Sequence, residues 1–142
     1  MRRIFTLCLL ITLAVFSVNA YANECVTESD YSYSNEKATL SISNRSDYTL
    51  TIKVMRSNGG GLYTTVTIPA KSSRTVYFSN SGSFYTKMKA EKGLETLYKQ
   101  DSPFSIQCDN YGYTEASISY YVSSSGGSAG KSISKSEFEK NY

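Results

Sequence analysis

Apolar and polar residues alternate along most of the chain between residues 38 and 122, and turn-forming residues separate the alternating runs. A period of two is typical of a β-strand with one buried and one solvated face. The inward apolar positions fall into seven runs: Ala38, Leu40 and Ile42; Tyr48, Leu50, Ile52 and Val54; Val66 and Ile68; Val76 and Phe78; Phe84, Met88 and Ala90; Phe104, Ile106 and Cys108; Ala116, Ile118, Tyr120 and Val122. The pattern predicts an all-β domain, an antiparallel two-sheet sandwich of about seven strands.

The segment between the fourth and fifth runs predicts a β-hairpin. Asn80-Ser81-Gly82 suits a three-residue loop whose last residue is left-handed, a conformation that glycine adopts without steric cost. In that register Phe78 faces Phe84 inside the domain. On the opposite face Tyr77 lies beside Tyr85, within cross-strand contact distance.

The N-terminus has the pattern of a targeting segment. Arg2 and Arg3 precede an apolar run from Ile4 to Val18, and Ala20-Tyr21-Ala22 supplies the small residues of a cleavage site. A membrane anchor is the weaker interpretation, because about 15 apolar residues fall short of the roughly 20 that span a bilayer. We therefore predict a signal peptide at residues 1–22 and a secreted or periplasmic mature protein.

The C-terminus differs in composition from the predicted β-sandwich domain at residues 23–122. Residues 123–130 are Ser/Gly-rich, which predicts a flexible linker within the tail at residues 123–142. Ser134 and Glu137 fit a capping box, and Ile133 can pack on Phe138 as a hydrophobic staple. The predicted terminal helix is too short to be stable alone in water, so it needs to dock on its own domain or on a partner.

The composition excludes much enzyme chemistry, because the chain has no histidine. Ser-His and Cys-His nucleophile pairs, an imidazole general base and His-ligated metals are all excluded. Asp109, Asn110 and Glu115 offer oxygen atoms to calcium, but a turn between two strands is the simpler interpretation. We predict a protein that is not an enzyme and has no cofactor and no metal.

The charge balance bears on partners. The predicted signal peptide holds Arg2 and Arg3 of the 15 basic residues, so 13 basic residues remain against 12 acidic ones in the mature chain. This nearly neutral chain has no basic cluster that could follow a phosphate backbone. Nucleic acid is therefore not an expected partner.

Two cysteines remain in the predicted mature chain, Cys25 and Cys108, because Cys8 lies in the signal peptide. We predict a structural disulfide between them, since an exported chain meets an oxidising compartment. On the loop-entropy model, closing a loop of about 80 residues stabilises the fold by roughly 4 to 5 kcal/mol. A redox pair is disfavoured because no C-x-x-C spacing is present.

Tyrosines give the strongest functional indication in the sequence. The predicted mature chain keeps all but Tyr21 of the 13 tyrosines. Strand parity turns four of them away from the core and so defines a candidate binding face: Tyr63, Tyr77, Tyr85 and Tyr121. An outward tyrosine is a rigid amphipathic contact surface for protein or sugar. The alternative is that tyrosine is present only as a good strand former.

The strand pattern predicts an immunoglobulin-like or fibronectin-III-like topology, and over residues 36–123 it resembles that of small exported bacterial immunoglobulin-like modules of uncharacterised role. The resemblance implies architecture alone and transfers no functional residue, because the strand C tryptophan and the usual inter-sheet disulfide of antibody domains are missing. The sequence favours a secreted non-enzymatic binding or adhesion module that contacts a protein or a glycan at a cell surface. The alternative is a membrane-active or antagonistic secreted protein that sits at lipid headgroups.

Overall fold

The computed structural model describes residues 38–125 and 130–142, which belong to one compact unit spanning residues 36–142. The predicted signal peptide and Cys25 lie outside the described residues, so export and the disulfide stay predictions. The strands are β1 (Ala38–Asn44), β2 (Thr49–Arg56), β3 (Leu62–Ile68), β4 (Ser73–Phe78), β5 (Gly82–Lys92), β6 (Glu95–Gln100), β7 (Phe104–Ile106), β8 (Cys108–Asp109), β9 (Gly112–Tyr113), β10 (Glu115–Tyr120) and β11 (Lys131–Ser132). One short helix, α1 (Lys135–Glu139), follows them.

Two larger sheets hold most of these strands. The first sheet has the order β10-β1-β4, and the second has the order β11-β6-β5-β2-β3, with β7 also paired to β5. Strands β8 and β9 form a small separate ribbon at residues 108–113, and the turn that joins them includes Asn110, so the predicted turn between two strands is confirmed there. The prediction of an all-β fold made mainly of antiparallel sheets is confirmed as well.

The hydrophobic core lies between the two sheets. The buried apolar side chains of each sheet face the other sheet and contact one another there. Leu40 and Ile42 come from the first sheet, and Leu50 and Ile52 come from the second. Each of these side chains is at most 1% exposed. Burial of that kind is the main stabilising contribution, at about 25 cal/mol per Å² of apolar surface.

The predicted β-hairpin is wrong. Strand β4 pairs with β1 in the first sheet, whereas β5 pairs with β2 in the second, so the chain crosses between sheets at residues 79–81. Phe78 and Phe84 do meet, with ring centroids 4.8 Å apart, but they meet across the core. Gly82 does not have the predicted left-handed conformation and begins β5. Tyr77 and Tyr85 therefore belong to different sheets.

Two further features differ from the predicted pattern. Strand β10 runs parallel to β1, from Thr39 opposite Glu115 to Asn44 opposite Tyr120, so the first sheet is mixed. A parallel pair is possible here because a long stretch of chain, not a tight turn, connects the two strands. Strand β6 was missed by the sequence analysis, and it is joined to β5 by a turn at Gly93, where φ is +59°.

The C-terminal segment, residues 130–142, crosses the outer face of the second sheet. It pairs with β6 through β11 at one edge, and at the other edge the backbone N–H of Leu62 donates to the carbonyl oxygen of Asn141, 3.0 Å away. Ser134 caps α1 by accepting from the backbone N–H of Glu137, as the capping box predicted. The helix docks on its own domain, where Phe138 is buried 5.5 Å from the ring of Tyr98. Within the described residues, no helix is long and apolar enough to cross a bilayer.

Two lysines of the second sheet hold this segment. The Lys53 ammonium donates to the carbonyl oxygens of Phe138 and Glu139 and to Asn141 Oδ1 at 3.1, 3.4 and 2.8 Å. The Lys87 ammonium donates to the carbonyl oxygens of Glu137 and Lys140 at 2.8 and 3.2 Å. These carbonyls lie at the C-terminal end of α1, where positive charge is favourable. Burial, together with the neighbouring Lys87, lowers the pKa of Lys53.

Candidate functional site

The structure separates the four tyrosines of the predicted binding face. Tyr77 and Tyr121 are exposed, at 59% and 60% of their surface. Tyr77 lies at the end of the first sheet that is next to Thr39, whereas Tyr121 follows β10 at the opposite end. Tyr85 is half-buried on the second sheet, paired with Met55. The four residues do not share one face.

Tyr63 packs against the core, so its predicted outward orientation is wrong. The register between β2 and β3 shifts at this point, with Val54 opposite Thr64 but Met55 opposite Leu62. This bulge places one extra residue in β3 and reverses the alternation that strand parity assumes. The Tyr63 ring stacks on Phe78 with a centroid distance of 4.9 Å and an interplanar angle of 11°.

A cleft of about 370 Å³ opens where the edge strands of the two sheets approach each other. The residues that line it come from β3 and β4: Tyr63, Thr64, Thr75, Val76 and Tyr77. The hydroxyl of Tyr63 donates to the carbonyl oxygen of Tyr77 at 2.8 Å, which joins the two edges. The cleft is open to solvent, so a ligand would lie along the two strand edges and would not be enclosed.

A second cavity of about 230 Å³ lies on the other side of Tyr63. The residues that line it come from two loops and the strand ends beside them: Arg56, Asn58, Tyr63, Asn80, Ser81, Gly82, Ser83 and Phe84. The Arg56 guanidinium carbon is 5.0 Å from the centroid of the Tyr63 ring, a cation–π distance. We call the two cavities together, with Tyr63 between them, the edge groove.

The outer face of the first sheet adjoins the edge groove through Thr75 and Tyr77. Its outward side chains stand in three rows across β10, β1 and β4: Glu115, Thr39 and Tyr77; Ser117, Ser41 and Thr75; Ser119, Ser43 and Ser73. Neighbouring side chains are about 4.8 Å apart across the strands and about 6.8 Å apart along them. Eight of the nine carry hydroxyl groups, and Glu115 is the only charged member. This hydroxyl face is a flat array of hydrogen-bond donors and acceptors.

Arg56 stands out electrostatically, because no other residue that lines the edge groove carries a charge. Within the described part of the chain its guanidinium has no carboxylate partner; its contacts are the Tyr63 ring and a long bond of 3.4 Å to the Leu62 carbonyl oxygen. The donors of the guanidinium are thus available for a ligand.

A buried network of Asp101, Tyr120 and Thr86 connects the two sheets but is not a candidate site. The Tyr120 hydroxyl donates to Asp101 Oδ2 at 2.5 Å, and the Thr86 hydroxyl donates to the same oxygen at 2.8 Å. The pKa of Tyr120 is raised, mainly because the hydroxyl is buried and to a smaller extent because Asp101 is negatively charged. The network is satisfied internally, so its role is structural.

The predicted calcium alternative has a simpler account in the structure. Asp109 Oδ1 accepts the backbone N–H groups of Tyr111 and Gly112 at 2.8 and 3.1 Å. These bonds lower the pKa of Asp109, and the bond from Tyr111 contributes most. Across residues 38–125 and 130–142, no three His, Cys, Asp or Glu side chains are grouped so as to hold a metal ion.

The half-buried Cys108 lies at the same end of the domain, with its sulfur 3.4 Å from the carbonyl oxygen of Phe78. The described residues contain no disulfide. Since Cys25 lies outside them, the pairing of Cys25 with Cys108 stays a prediction.

No protein-family model matches the chain, and no curated protein or solved structure is significantly similar to it. The fold and the edge groove therefore carry the functional argument alone. Sequence reasoning found Tyr77 but missed Arg56, Asn58 and Asn80, which lie beside Gly-rich or Ser-rich turns. Clusters of such turn residues between strands are where a ligand site on a rigid β scaffold is commonly placed.

Proposed function

We propose that the protein is an exported, non-enzymatic binding or adhesion module that contacts a protein or a glycan through the edge groove. The observation that carries the proposal is the meeting of two cavities at Tyr63, with the exposed Tyr77 at their rim. Tyrosine rings supply contact area at low cost in side-chain entropy. The signal-peptide pattern of residues 1–22 supports export.

The finer architecture is part of the same proposal. We assign the two sheets to an immunoglobulin-like sandwich, supported by their shared core and by the crossing of the chain between sheets after β1 and β4. In such folds, ligands are bound by loops and edges that a rigid core positions. The architecture itself names no ligand.

The proposal predicts that blocking the groove abolishes partner capture. In Thr75→Arg, a long charged side chain occupies the cleft from an exposed position on β4. The immobilised mature protein should retain a partner from the culture fluid or surface fraction of its source. The Thr75→Arg variant should retain at least tenfold less of that partner.

Ser117→Arg is the matched control. Thr75 and Ser117 are both exposed, and both pair with Ser41, from opposite sides of β1, but Ser117 lies away from the groove. Equal capture by the two variants would contradict the proposal. Binding of the wild type to protein-free liposomes would favour the membrane-active alternative.

A further inference from the structure

We propose that the edge groove binds an acidic oligosaccharide, with a uronic-acid carboxylate at Arg56 and a sugar ring against Tyr77. This inference rests on the proposed function and specifies the ligand class. It follows from the charge of the groove and from the exposed aromatic ring at its rim.

Arg56 indicates that the ligand carries a carboxylate and where that carboxylate binds. Its guanidinium presents several N–H donors in a fixed plane, a geometry that suits a carboxylate. The guanidinium lies at cation–π distance from the Tyr63 ring. That ring is itself fixed, because it stacks on Phe78 and its hydroxyl donates to the carbonyl oxygen of Tyr77. The amides of Asn58 and Asn80 line the same cavity and can bond the hydroxyls next to the carboxylate.

Tyr77 is the residue on which we place a sugar ring of the ligand. Both faces of Tyr63 are already covered, by Phe78 and by Arg56, so Tyr63 cannot serve as a stacking surface. Tyr77 is 59% exposed and lies at the rim of the larger cavity. The C–H groups of a pyranose can pack on such a ring while its hydroxyls bond neighbouring polar groups. Thr64 and Thr75, which line the same cavity, supply those groups.

A protein ligand fits the groove less well. Protein interfaces use Tyr, Trp and Arg as anchors too, but they surround those anchors with a well-packed core from which water is excluded. Here Val76 and Phe84 are the only aliphatic or phenylalanine side chains in the lining, and both are buried. The available groups are the Tyr77 ring, hydroxyls, amides and one guanidinium, which match the ring, the hydroxyls and the carboxylate of an acidic sugar.

The test titrates the mature protein calorimetrically with hexasaccharides of galacturonic acid, mannuronic acid and hyaluronan. At least one of these acids should bind, and its methyl ester, which has the same rings without the charge, should bind at least tenfold more weakly. Arg56→Gln should lower affinity for the acid at least tenfold and change affinity for the ester little. Asn80→Asp, which adds a repelling charge in the same cavity, should have the same selective effect.

Arg74→Gln is the control for charge, since Arg74 is exposed on β4, bonds the Ser73 carbonyl and lines neither cavity. No binding of any acid at millimolar concentration, equal binding of acid and ester, or equal effects of the two arginine variants would overturn the inference. Equally tight binding of hexaglutamate would also overturn it, because charge alone would then explain the affinity. If these tests fail while Thr75→Arg still loses a captured partner that Ser117→Arg keeps, the proposed function stands without the sugar.

Discussion

Phe78→Ala should destabilise the protein by about 3 kcal/mol or more, because it removes a fully buried aromatic side chain and leaves a cavity. Phe78 contacts Tyr63 at 4.9 Å and Phe84 at 4.8 Å between ring centroids, so three rings lose their common contact. For a domain of about 100 residues, the loss corresponds to a fall in Tm of about 12 °C or more. Thermal and urea unfolding would measure it.

Tyr77→Ala is the matched control, since the neighbouring side chain is exposed and its bond to Tyr63 uses a backbone carbonyl that the substitution keeps. Its cost should stay below about 1 kcal/mol. If Phe78→Ala unfolds within about 1 kcal/mol of the wild type, the two sheets are not joined through this cluster.

Lys87→Glu should cost about 3 to 5 kcal/mol, the range seen when a buried charge is left without a partner. The Lys87 side chain is 0% exposed, and its ammonium faces two carbonyl oxygens and, at 3.5 Å, the Glu137 carboxylate. A carboxylate at this position would face those oxygens with no donor. The C-terminal segment should therefore detach, which limited proteolysis after residue 130 would detect along with the lower stability.

Lys89→Glu is the control on the same strand, because Lys89 is 27% exposed and, within residues 38–125 and 130–142, forms an ion pair only with Glu91. A partly exposed pair is worth at most about 1 kcal/mol. A chain that ends at Ser125 tests the cause, since Lys87→Glu should cost little once residues 130–142 are gone. An equal cost with and without that segment would show that the sheet itself, and not the C-terminal segment, needs the lysine.

The alternating pattern was sufficient to predict an all-β fold and most of its core. Residues such as Leu40, Ile52 and Phe78 alternate with polar neighbours because one face of each strand packs on the opposite sheet. Alternation carries no information about which strands pair, so the crossing between β4 and β5 was missed. Strand β6 was missed because its side chains are mostly half-buried, which weakens the contrast between its faces.

The candidate site was less predictable than the fold. One extra residue in β3 turns Tyr63 inward by shifting the phase of the alternation. The shift is hidden in the sequence, because Thr64 and Thr65 beside it offer no contrast between apolar and polar positions. Arg56, at the end of β2, and Asn80, in the crossing between sheets, are distant in sequence and are brought together only by the packing of the sheets. Tyr77 was correctly predicted to be exposed to solvent, because it alternates with Val76 and Phe78, which are buried on either side of it.

The central claim, that the edge groove is the binding site, is tested most directly by the affinity ratio of two tyrosine variants. Tyr77 and Tyr121 are exposed to the same extent, at 59% and 60%, but only Tyr77 lines the groove. Titration of the captured partner, or of the acidic hexasaccharide, should show at least a tenfold loss for Tyr77→Ser, about 1.4 kcal/mol. Tyr121→Ser should bind like the wild type. Equal losses in the two variants, or a loss confined to Tyr121→Ser, would contradict the account.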